Sequence, residues 1–169
     1  MTPPPPRYCP ACGAGLVPAD VNGRERQRCT SCEFVAYLNP AFAAAGLVIE
    51  QGERVLLMRR RIQPFQGHWA LPAGYQEIDE SPQDTVRRET FEETGIEVAV
   101  HRLVELVWVP DDPRKPANVA IFLCHPTGGT LTPGDDADQA AWFHRDELPP
   151  NLGFGNAAVL KKYFEENHS

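Results

Sequence analysis

The sequence predicts an α/β protein in which a mixed sheet lies between helices as an α/β/α sandwich, preceded by a small zinc ribbon. Short apolar segments typical of strands alternate with two helical segments along most of the chain. Two C-x2-C pairs lie near the first residue. A length of 169 residues suits one ordinary domain with a small added module.

The two cysteine pairs predict a metal site. They are Cys9 with Cys12 and Cys29 with Cys32, and residues 13–28 separate them. Four thiolates at this spacing favour a closed, tetrahedral and structural Zn²⁺ site; disulfides or a redox C-x-x-C motif are the alternatives. No segment resembling a signal peptide precedes the cysteines, so we expect a cytoplasmic protein with reduced thiols. The fifth cysteine, Cys124, lies in an apolar run and is expected to be a small buried side chain.

Composition divides the chain into three parts. Residues 1–7 are rich in proline and are expected to form a disordered tail. Residues 8–38 are the candidate ribbon, which is too short for a useful apolar core, so the metal has to supply most of its folding free energy. Residues 39–169 form the larger domain, which begins at the Asn39-Pro40 joint.

Within the larger domain, apolar segments predict strands over residues 42–49, 54–59, 69–71, 98–109, 119–124 and 140–143. An amphipathic helix is expected over 156–166 and a helical turn over 145–148. Residues 110–116 are typical of a stiff polar loop, and 127–130 of a turn.

A further helix with clear end signals follows the third of these strands. Ser81 can cap it, Pro82 suits its first position, and Asp84 completes a relaxed capping box. Gly95 supplies the C-terminal stop. The local sequence therefore predicts where this helix begins and ends.

The same helix carries Glu89, Glu92 and Glu93 at spacings of three and four, which places their carboxylates on one face. Like charges at this spacing repel one another. A bound hard cation reverses that effect, because Mg²⁺ takes oxygen ligands and couples carboxylates to substrate phosphates. A solvated acidic face is the alternative interpretation.

The segment around this helix resembles the Nudix hydrolase box, G-x5-E-x7-R-E-U-x-E-E-x-G-U, where U is apolar. The matching positions are Gly74, Glu80, Arg88, Glu89, Glu92, Glu93, Gly95 and Ile96. The one departure is Thr90, where the family prefers an aliphatic residue; threonine keeps the branched shape and adds a hydroxyl. The resemblance covers roughly residues 41–164. It implies the α/β/α fold and metal-dependent hydrolysis of a diphosphate.

The resemblance also implies a role for each residue of the box. Glu92 and Glu93 would be the principal Mg²⁺ or Mn²⁺ ligands, and Glu89 a further ligand or the base for the attacking water. The Gly74 region would offer a backbone carbonyl ligand. Arg88, pointing elsewhere on the helix, would tie the loop to the helix through a carboxylate such as that of Glu80.

Many Nudix enzymes activate the water with a carboxylate outside the box. Asp135, Asp136 and Asp138 are the candidates here, and a solvated acidic turn is an equal alternative. Gln139 stands where glutamate is frequent in the family, and an amide cannot act as a base.

Cationic and aromatic residues outside the box are weaker candidates. Arg59, Arg60 and Arg61 end an apolar strand, with Arg60 on the opposite side from the other two. One of them could meet a substrate phosphate, although ordinary strand-end charge is slightly favoured. Trp69 and Trp108 could stack on a base, although core packing is the more common fate of tryptophan.

Resemblance within the family bears on the substrate. NADH pyrophosphatases, which also remove NAD caps from RNA, carry a similar ribbon, but their SQPWPFP-type segment has no match in residues 101–116. The chain is more similar to short ribbon-bearing Nudix proteins grouped with ADP-ribose and FAD pyrophosphatases, through its Asn39-Pro40 joint and residues 60–69. The implied substrate is a nucleoside-diphosphate-linked compound, ADP-ribose or FAD being favoured. NADH or NAD-capped RNA is the runner-up.

Charge and hydropathy limit the partners. The formal net charge of −7 disfavours broad nucleic-acid binding, which relies on lysine and arginine. No apolar run is long enough to span a membrane. A small-molecule nucleotide is the expected partner, and a homodimer is left open. A non-catalytic Nudix-fold regulator that binds nucleic acid or a ligand is the alternative of another class, but a binding-only protein does not need all three glutamates.

Overall fold

A computed structural model describes residues 4–51, 53–110 and 115–167 of the chain. Residues 1–3 of the proline-rich segment and the centre of the loop expected over 110–116 lie outside the described residues. In the part of the chain that is described, no helix is long and apolar enough to cross a membrane.

The described residues form strands and helices in the following order. The strands are β1 (Leu16–Val21), β2 (Arg24–Cys29), β3 (Val35–Ala36), β4 (Ala41–Glu50), β5 (Arg54–Arg60), β6 (Trp69–Ala70), β7 (Ala73–Tyr75), β8 (Ile96–Val109), β9 (Ala117–Gly129) and β10 (Ala137–His144). Helix α1 (Pro82–Thr94) lies between β7 and β8, and helix α2 (Asn156–Glu166) follows β10 and a 3₁₀ turn at Arg145–Glu147.

The first three strands form a small antiparallel sheet in the order β1-β2-β3. Its buried cluster consists of Cys9, Leu16, Cys29 and Ala36. Two of these four residues belong to the predicted metal site. The apolar core of this region is therefore small, as expected from its length.

The large sheet has the order β10-β5-β4-β9-β8, with β6 added on β5 and β7 on β4. β4 and β9 are parallel, and the other pairs are antiparallel. This pattern confirms the mixed sheet that the sequence predicts.

Alternation along β4 distributes its side chains to the two faces of the sheet. Ala44 and Val48 pack in one cluster with Val86 of α1. Leu47 lies in the other cluster, with Leu160 of α2. The sheet is therefore covered by one helix on each face, and the predicted α/β/α sandwich is confirmed.

One predicted turn is wrong. Residues 127–130 were expected to form a turn, but residues 127–129 belong to β9, where Gly129 pairs with Ile96 and Gly128 with Glu97. The physical reason is that β8 is long enough to pair with β9 up to this point, so ladder hydrogen bonds outweigh the local turn signal of two glycines. Cys124 is fully buried in β9, as expected.

Candidate active site

Helix α1 begins and ends at the predicted residues. The Ser81 side chain accepts a hydrogen bond from the Asp84 N–H at 3.2 Å, and the Ser81 N–H donates to the Asp84 carboxylate at 3.3 Å. At the other end Gly95 has a φ of 71°, and its N–H donates to the Phe91 carbonyl at 2.8 Å. These caps set the residues at which the helix begins and ends.

The β9–β10 loop binds the C-terminal end of α1 through its backbone. The N–H of Thr132 donates to the Thr94 carbonyl at 2.9 Å, and the N–H of Gly134 to the Glu93 carbonyl at 3.1 Å. A Cβ atom on Gly134 would collide with the carbonyl oxygen of Glu92, so only glycine fits this close approach. The loop that carries Asp135 and Asp136 is thereby held beside the acidic face of α1.

Arg88 joins the acidic groups of the box. Its guanidinium contacts both carboxylate oxygens of Glu80, from Nε at 2.5 Å and from Nη2 at 3.0 Å, and Nη2 also donates to the Tyr75 carbonyl at 3.1 Å. Its Nη1 donates to Glu89 at 2.6 Å and to Glu92 at 3.0 Å. The structure thus has the expected Arg88–Glu80 pair. The expectation that Arg88 points away from the other glutamates is wrong, because its long side chain reaches both.

The carboxylate of Glu80 is strongly stabilised in its charged form. The Arg88 hydrogen bond lowers the pKa of Glu80 to about 2. Hydrogen bonds from the Thr85 hydroxyl at 3.0 Å and the Glu77 N–H at 3.2 Å act in the same direction. This pair therefore stays ionised at physiological pH.

The three glutamates of the acidic face have different environments. Glu93 is 6% exposed and accepts a hydrogen bond from the Ala73 N–H at 2.9 Å; burial raises its pKa to about 8. Burial also raises the pKa of Glu89. The side chain of Glu92 is 57% exposed. The buried Glu93, the partly buried Glu89 and the exposed Glu92 thus lie within about one turn of the helix.

Gly74 lies directly against one of these carboxylates. A Cβ atom at this position would collide with the carboxyl group of Glu89. Gly74 belongs to β7 and pairs with Ala44 of β4. This strand pairing prevents the backbone of Gly74 from moving away from the helix. The need for glycine here follows from this close approach between strand and helix.

A cavity of 320 Å³ opens beside the box. Its charged and polar walls include Glu77, Glu89, Glu93, Asp136, Arg60 and Asn156, and its apolar walls include Leu71, Val107, Val119, Ile121 and Phe154. Glu92, Glu80 and Arg88 are not among the residues that line it. The cavity is therefore acidic where it meets α1 and apolar over much of the sheet.

The arginines that end β5 separate as predicted. Arg59 pairs with Asp138 through two hydrogen bonds, of 2.7 and 3.0 Å. Arg60 is buried, lines the cavity, and donates from Nε to the Pro64 carbonyl at 2.7 Å. Only one of the two thus reaches the cavity.

The three aspartates outside the box also separate. Asp136 lines the cavity together with Glu93. Asp138 is held by Arg59, whose hydrogen bond lowers the pKa of Asp138. Asp135 is exposed and is not among the lining residues. Geometry therefore favours Asp136 over its neighbours.

Sequence reasoning missed two residues that line the cavity, Phe154 just before α2 and Asn156 at its first position. No motif marks them, because they lie far from the box in sequence.

The two tryptophans differ in their environment. Trp69 packs edge-to-face on Phe143, with 4.7 Å between the ring centroids, as expected. The expectation of core packing is wrong for Trp108, which is 53% exposed.

The four cysteines of the ribbon come together. Measured between Sγ atoms, Cys9–Cys32 is 3.7 Å, Cys12–Cys32 is 3.6 Å and Cys12–Cys29 is 3.5 Å, and all four atoms lie within 4.8 Å of one another. A tetrahedral ion with Zn–S bonds of about 2.3 Å places its sulfurs about 3.8 Å apart. The Ser31 N–H donates to the Cys29 Sγ at 3.3 Å and lowers the pKa of this thiol to about 6. These cysteines can hold a metal ion.

Comparison with known proteins identifies the family. The NUDIX domain matches residues 40–163, most of the chain. The chain belongs to the Nudix family. An ADP-ribose pyrophosphatase of Methanocaldococcus jannaschii is 39% identical over 132 residues, covering 78% of this chain and 77% of that protein. The chain is thus a Nudix hydrolase.

Two further similarities bear on the arrangement of the Nudix domain and the ribbon. The crystal structure of a NUDIX hydrolase from Nitrosomonas europaea superposes with a TM-score of 0.86 at 27% identity, covering 96% of this chain and 92% of that chain. A match of this extent has to include most of residues 8–38. An NAD-capped RNA hydrolase NudC of Chromobacterium violaceum is 31% identical, covering 85% of this Nudix hydrolase, which spans about half (52%) of that protein.

Proposed function

We propose that this Nudix hydrolase cleaves the diphosphate bond of a nucleoside-diphosphate-linked compound, with ADP-ribose or FAD as the favoured substrate. The observation that carries the proposal is the convergence of Glu89, Glu93 and Asp136 on one cavity of 320 Å³. The 39% identity to an ADP-ribose pyrophosphatase supports the choice of substrate class.

The donor set of the box fits Mg²⁺ or Mn²⁺. Carboxylate oxygens are the ligands that such ions take. Glu93 is buried and Glu89 is partly buried, and burial raises the pKa of both carboxyl groups, so a cation would favour their charged forms. Glu92 and Glu93 are the proposed principal ligands, with Glu89 as a ligand or base and the Gly74 region as a carbonyl donor. Once bound, the ion would neutralise diphosphate oxygens and lower the pKa of a water molecule.

The protein groups around this set orient the reaction. Arg88 contacts both carboxylate oxygens of Glu80 and the carbonyl of Tyr75, and so fixes helix α1 against the end of β7. Arg88 and Glu80 are therefore proposed as positioning residues. Among the residues outside the box, Asp136 is the favoured acceptor for the proton of the attacking water because it lines the cavity.

Residues 8–38 and 39–169 are proposed to be two structural units with different metals. The Sγ geometry of the four ribbon cysteines fits a closed tetrahedral Zn²⁺ site without an open position, which is typical of a structural rather than a catalytic metal. Residues 39–169 contain the acidic face and the cavity.

The test is turnover of a panel of nucleoside diphosphate derivatives with Mg²⁺ and with Mn²⁺, together with glutamine variants of the box. Glu92→Gln and Glu93→Gln each remove one negative charge at nearly constant volume. We expect each to lower kcat by at least about a hundredfold, because lost charge stabilisation costs several kcal/mol of barrier. Glu166→Gln, at the exposed end of α2, is the matched control and should retain wild-type turnover.

Near wild-type turnover of both box variants at saturating Mg²⁺ would refute these assignments. Cleavage of NADH or NAD-capped RNA is the second candidate, favoured by the NudC relative. If kcat/KM for NADH exceeds the values for ADP-ribose and FAD, the protein is better described as an NADH pyrophosphatase.

A further inference from the structure

The small sheet of the ribbon separates its charged residues onto opposite faces. Side chains alternate along β2, so Arg24, Arg26 and Arg28 lie on one face. Glu25 lies on the other face, where it pairs in register with Asp20 of β1. That second face also carries the buried cluster of the ribbon. The three arginines therefore occupy the outer face of the sheet.

The strands beside these arginines add no charge to the outer face. The β1 residues opposite them in register are Val17, Ala19 and Val21. On the other side of β2, Tyr37 directly follows β3 and is 55% exposed. The guanidinium carbon of Arg26 lies 4.3 Å from the centroid of the Tyr37 ring. We call the surface formed by Arg24, Arg26, Arg28 and Tyr37 the arginine face.

One carboxylate approaches the arginine face from a loop. Glu33 lies 3.7 Å from Arg28, and the Glu33 side chain is 98% exposed. An ion pair this exposed contributes little, so Arg28 can exchange it for another anion. Residues 8–38 contain three arginines and three acidic residues, so their formal charges cancel. The separation of charge between the two faces makes the arginine face basic, although the net charge of the chain is −7.

The arginine face is complementary to a chain of phosphates that carries bases. Alternate residues of a strand lie about 6.8 Å apart, so the three guanidinium groups form a row along β2. Each planar guanidinium can donate two hydrogen bonds to one phosphate. The exposed Tyr37 ring offers a flat surface on which an unpaired base can stack. A duplex keeps its bases stacked on one another, and an acidic peptide has none, so neither uses the whole face.

We propose that the arginine face of the ribbon binds a single-stranded nucleic acid, with successive phosphates on Arg24, Arg26 and Arg28 and a base stacked on Tyr37. RNA and DNA single strands share this chemistry. The inference goes beyond the proposed function, because it concerns the ribbon and uses no residue of the Nudix box.

The test is fluorescence anisotropy of the full chain, isolated under reducing conditions, with labelled oligo(U) RNA and oligo(dT) DNA at several salt concentrations. Three phosphate contacts predict a slope of about −2 for the logarithm of the binding constant against that of salt, since each contact contributes about −0.7. Arg24→Gln, Arg26→Gln and Arg28→Gln should each reduce this slope by about 0.7 and weaken binding about three- to tenfold at low salt.

Loss of the aromatic ring should have a different signature. Tyr37→Leu keeps an apolar side chain but removes the stacking surface, so we expect binding to weaken at least about fivefold. The salt dependence should stay at its wild-type value, because stacking releases no counterions from the phosphates.

Two controls place the same size of charge change elsewhere. Arg102→Gln removes an exposed arginine of β8, outside the ribbon, and Glu25→Gln removes a charge from the opposite face of β2. Both should keep the wild-type slope and change affinity by less than twofold. Metal content and melting temperature identify any variant that loses the ribbon fold. If the other variants do so, Arg24→Gln decides the outcome, because its side chain is exposed beside the β1–β2 turn.

The expected slope and losses with either oligonucleotide would support the inference, and the ratio of the two affinities shows whether RNA or DNA is preferred. Absence of binding of both oligonucleotides below about 100 µM protein at low salt would overturn it. An equal loss in Arg102→Gln, or binding of a duplex as tight as that of single strands, would do the same. Displacement by poly-glutamate as readily as by unlabelled oligonucleotide would assign the face to acidic peptides instead.

Discussion

The side chain of Arg88 holds three carboxylates of the site, those of Glu80, Glu89 and Glu92, in fixed positions. Each guanidinium nitrogen is engaged, with Glu80 held at two points and Glu89 and Glu92 sharing Nη1. A lysine has the same charge but only one nitrogen, so it cannot span these partners. Geometry, and not charge alone, makes arginine necessary here.

We predict that Arg88→Lys destabilises the protein by about 2 kcal/mol, since hydrogen bonds between charged groups contribute about 1.5–3 kcal/mol each and only some can re-form. Arg87→Lys is the matched control, because its half-exposed neighbour Asp84 can be reached by either residue. Urea denaturation with Mg²⁺ absent measures both. Equal stability of the two variants would contradict the role given to the guanidinium.

At the scale of single elements, helix α1 contains a buried hydroxyl group, that of Thr90, without a hydrogen-bond partner among the described residues. Thr90 is fully buried. Gly46 of β4 lies so close that a Cβ there would come within 2.8 Å of this oxygen. The departure from the family pattern at Thr90 therefore places a polar atom against an apolar strand.

We predict that Thr90→Val raises the free energy of unfolding by about 1 kcal/mol, because it removes a buried hydroxyl that gains no hydrogen bond. Thr94→Val is the matched control on the same helix, since the Thr94 hydroxyl donates to the Thr90 carbonyl at 2.6 Å, and its loss should destabilise. Chemical denaturation gives both values, and the prediction fails if the two variants shift in the same direction.

Elements with strong local signals were predictable from sequence. Ser81 and Gly95 mark the ends of α1, and α2 begins and ends where the apolar pattern predicts. The contact between Glu80 and Arg88, which the family resemblance implied, is present, and both residues lie within one local segment. The end of β9 and the arrival of Asn156 at the cavity were not predictable, because strand pairing and the return of a distant helix depend on contacts that local patterns do not encode.

At the scale of the whole molecule, the buried carboxyl group of Glu93 links stability to pH. Glu93 has a pKa of about 8 in the folded protein and an ordinary value of 4.5. Between these values the folded protein binds more protons than the unfolded chain, so stability falls as pH rises. The protonated carboxyl is the form that the metal-free fold favours.

We therefore predict that the metal-free protein loses stability, on the order of a few kcal/mol, between about pH 5 and pH 8. Added Mg²⁺ should restore stability most strongly at the upper end, where the carboxylates are charged. Thermal melts across this range measure the effect. Glu93→Gln is the control, and a slope equally steep in that variant would assign the effect to other groups.

The ribbon yields a separate prediction. Its buried cluster of Cys9, Leu16, Cys29 and Ala36 is too small to keep residues 8–38 folded without a bound metal ion. Cys29→Ser should lose one Zn²⁺ per chain and loosen residues 8–38, while residues 39–169 keep their fold. Elemental analysis and hydrogen exchange test both parts. Fresh, reduced wild-type protein without zinc would contradict the assignment.

The homodimer considered from sequence stays a prediction.

The parallel pairing of β4 with β9 has a consequence for synthesis of the chain. Ala41 pairs with Ala117 and Val48 with Cys124, so the central strand of the sheet leaves the ribosome long before its partner exists. Antiparallel neighbours such as β5 follow β4 at once. The nascent chain therefore has to keep the apolar β4 segment, Ala41–Glu50, from aggregating until β9, which begins at Ala117, has been translated.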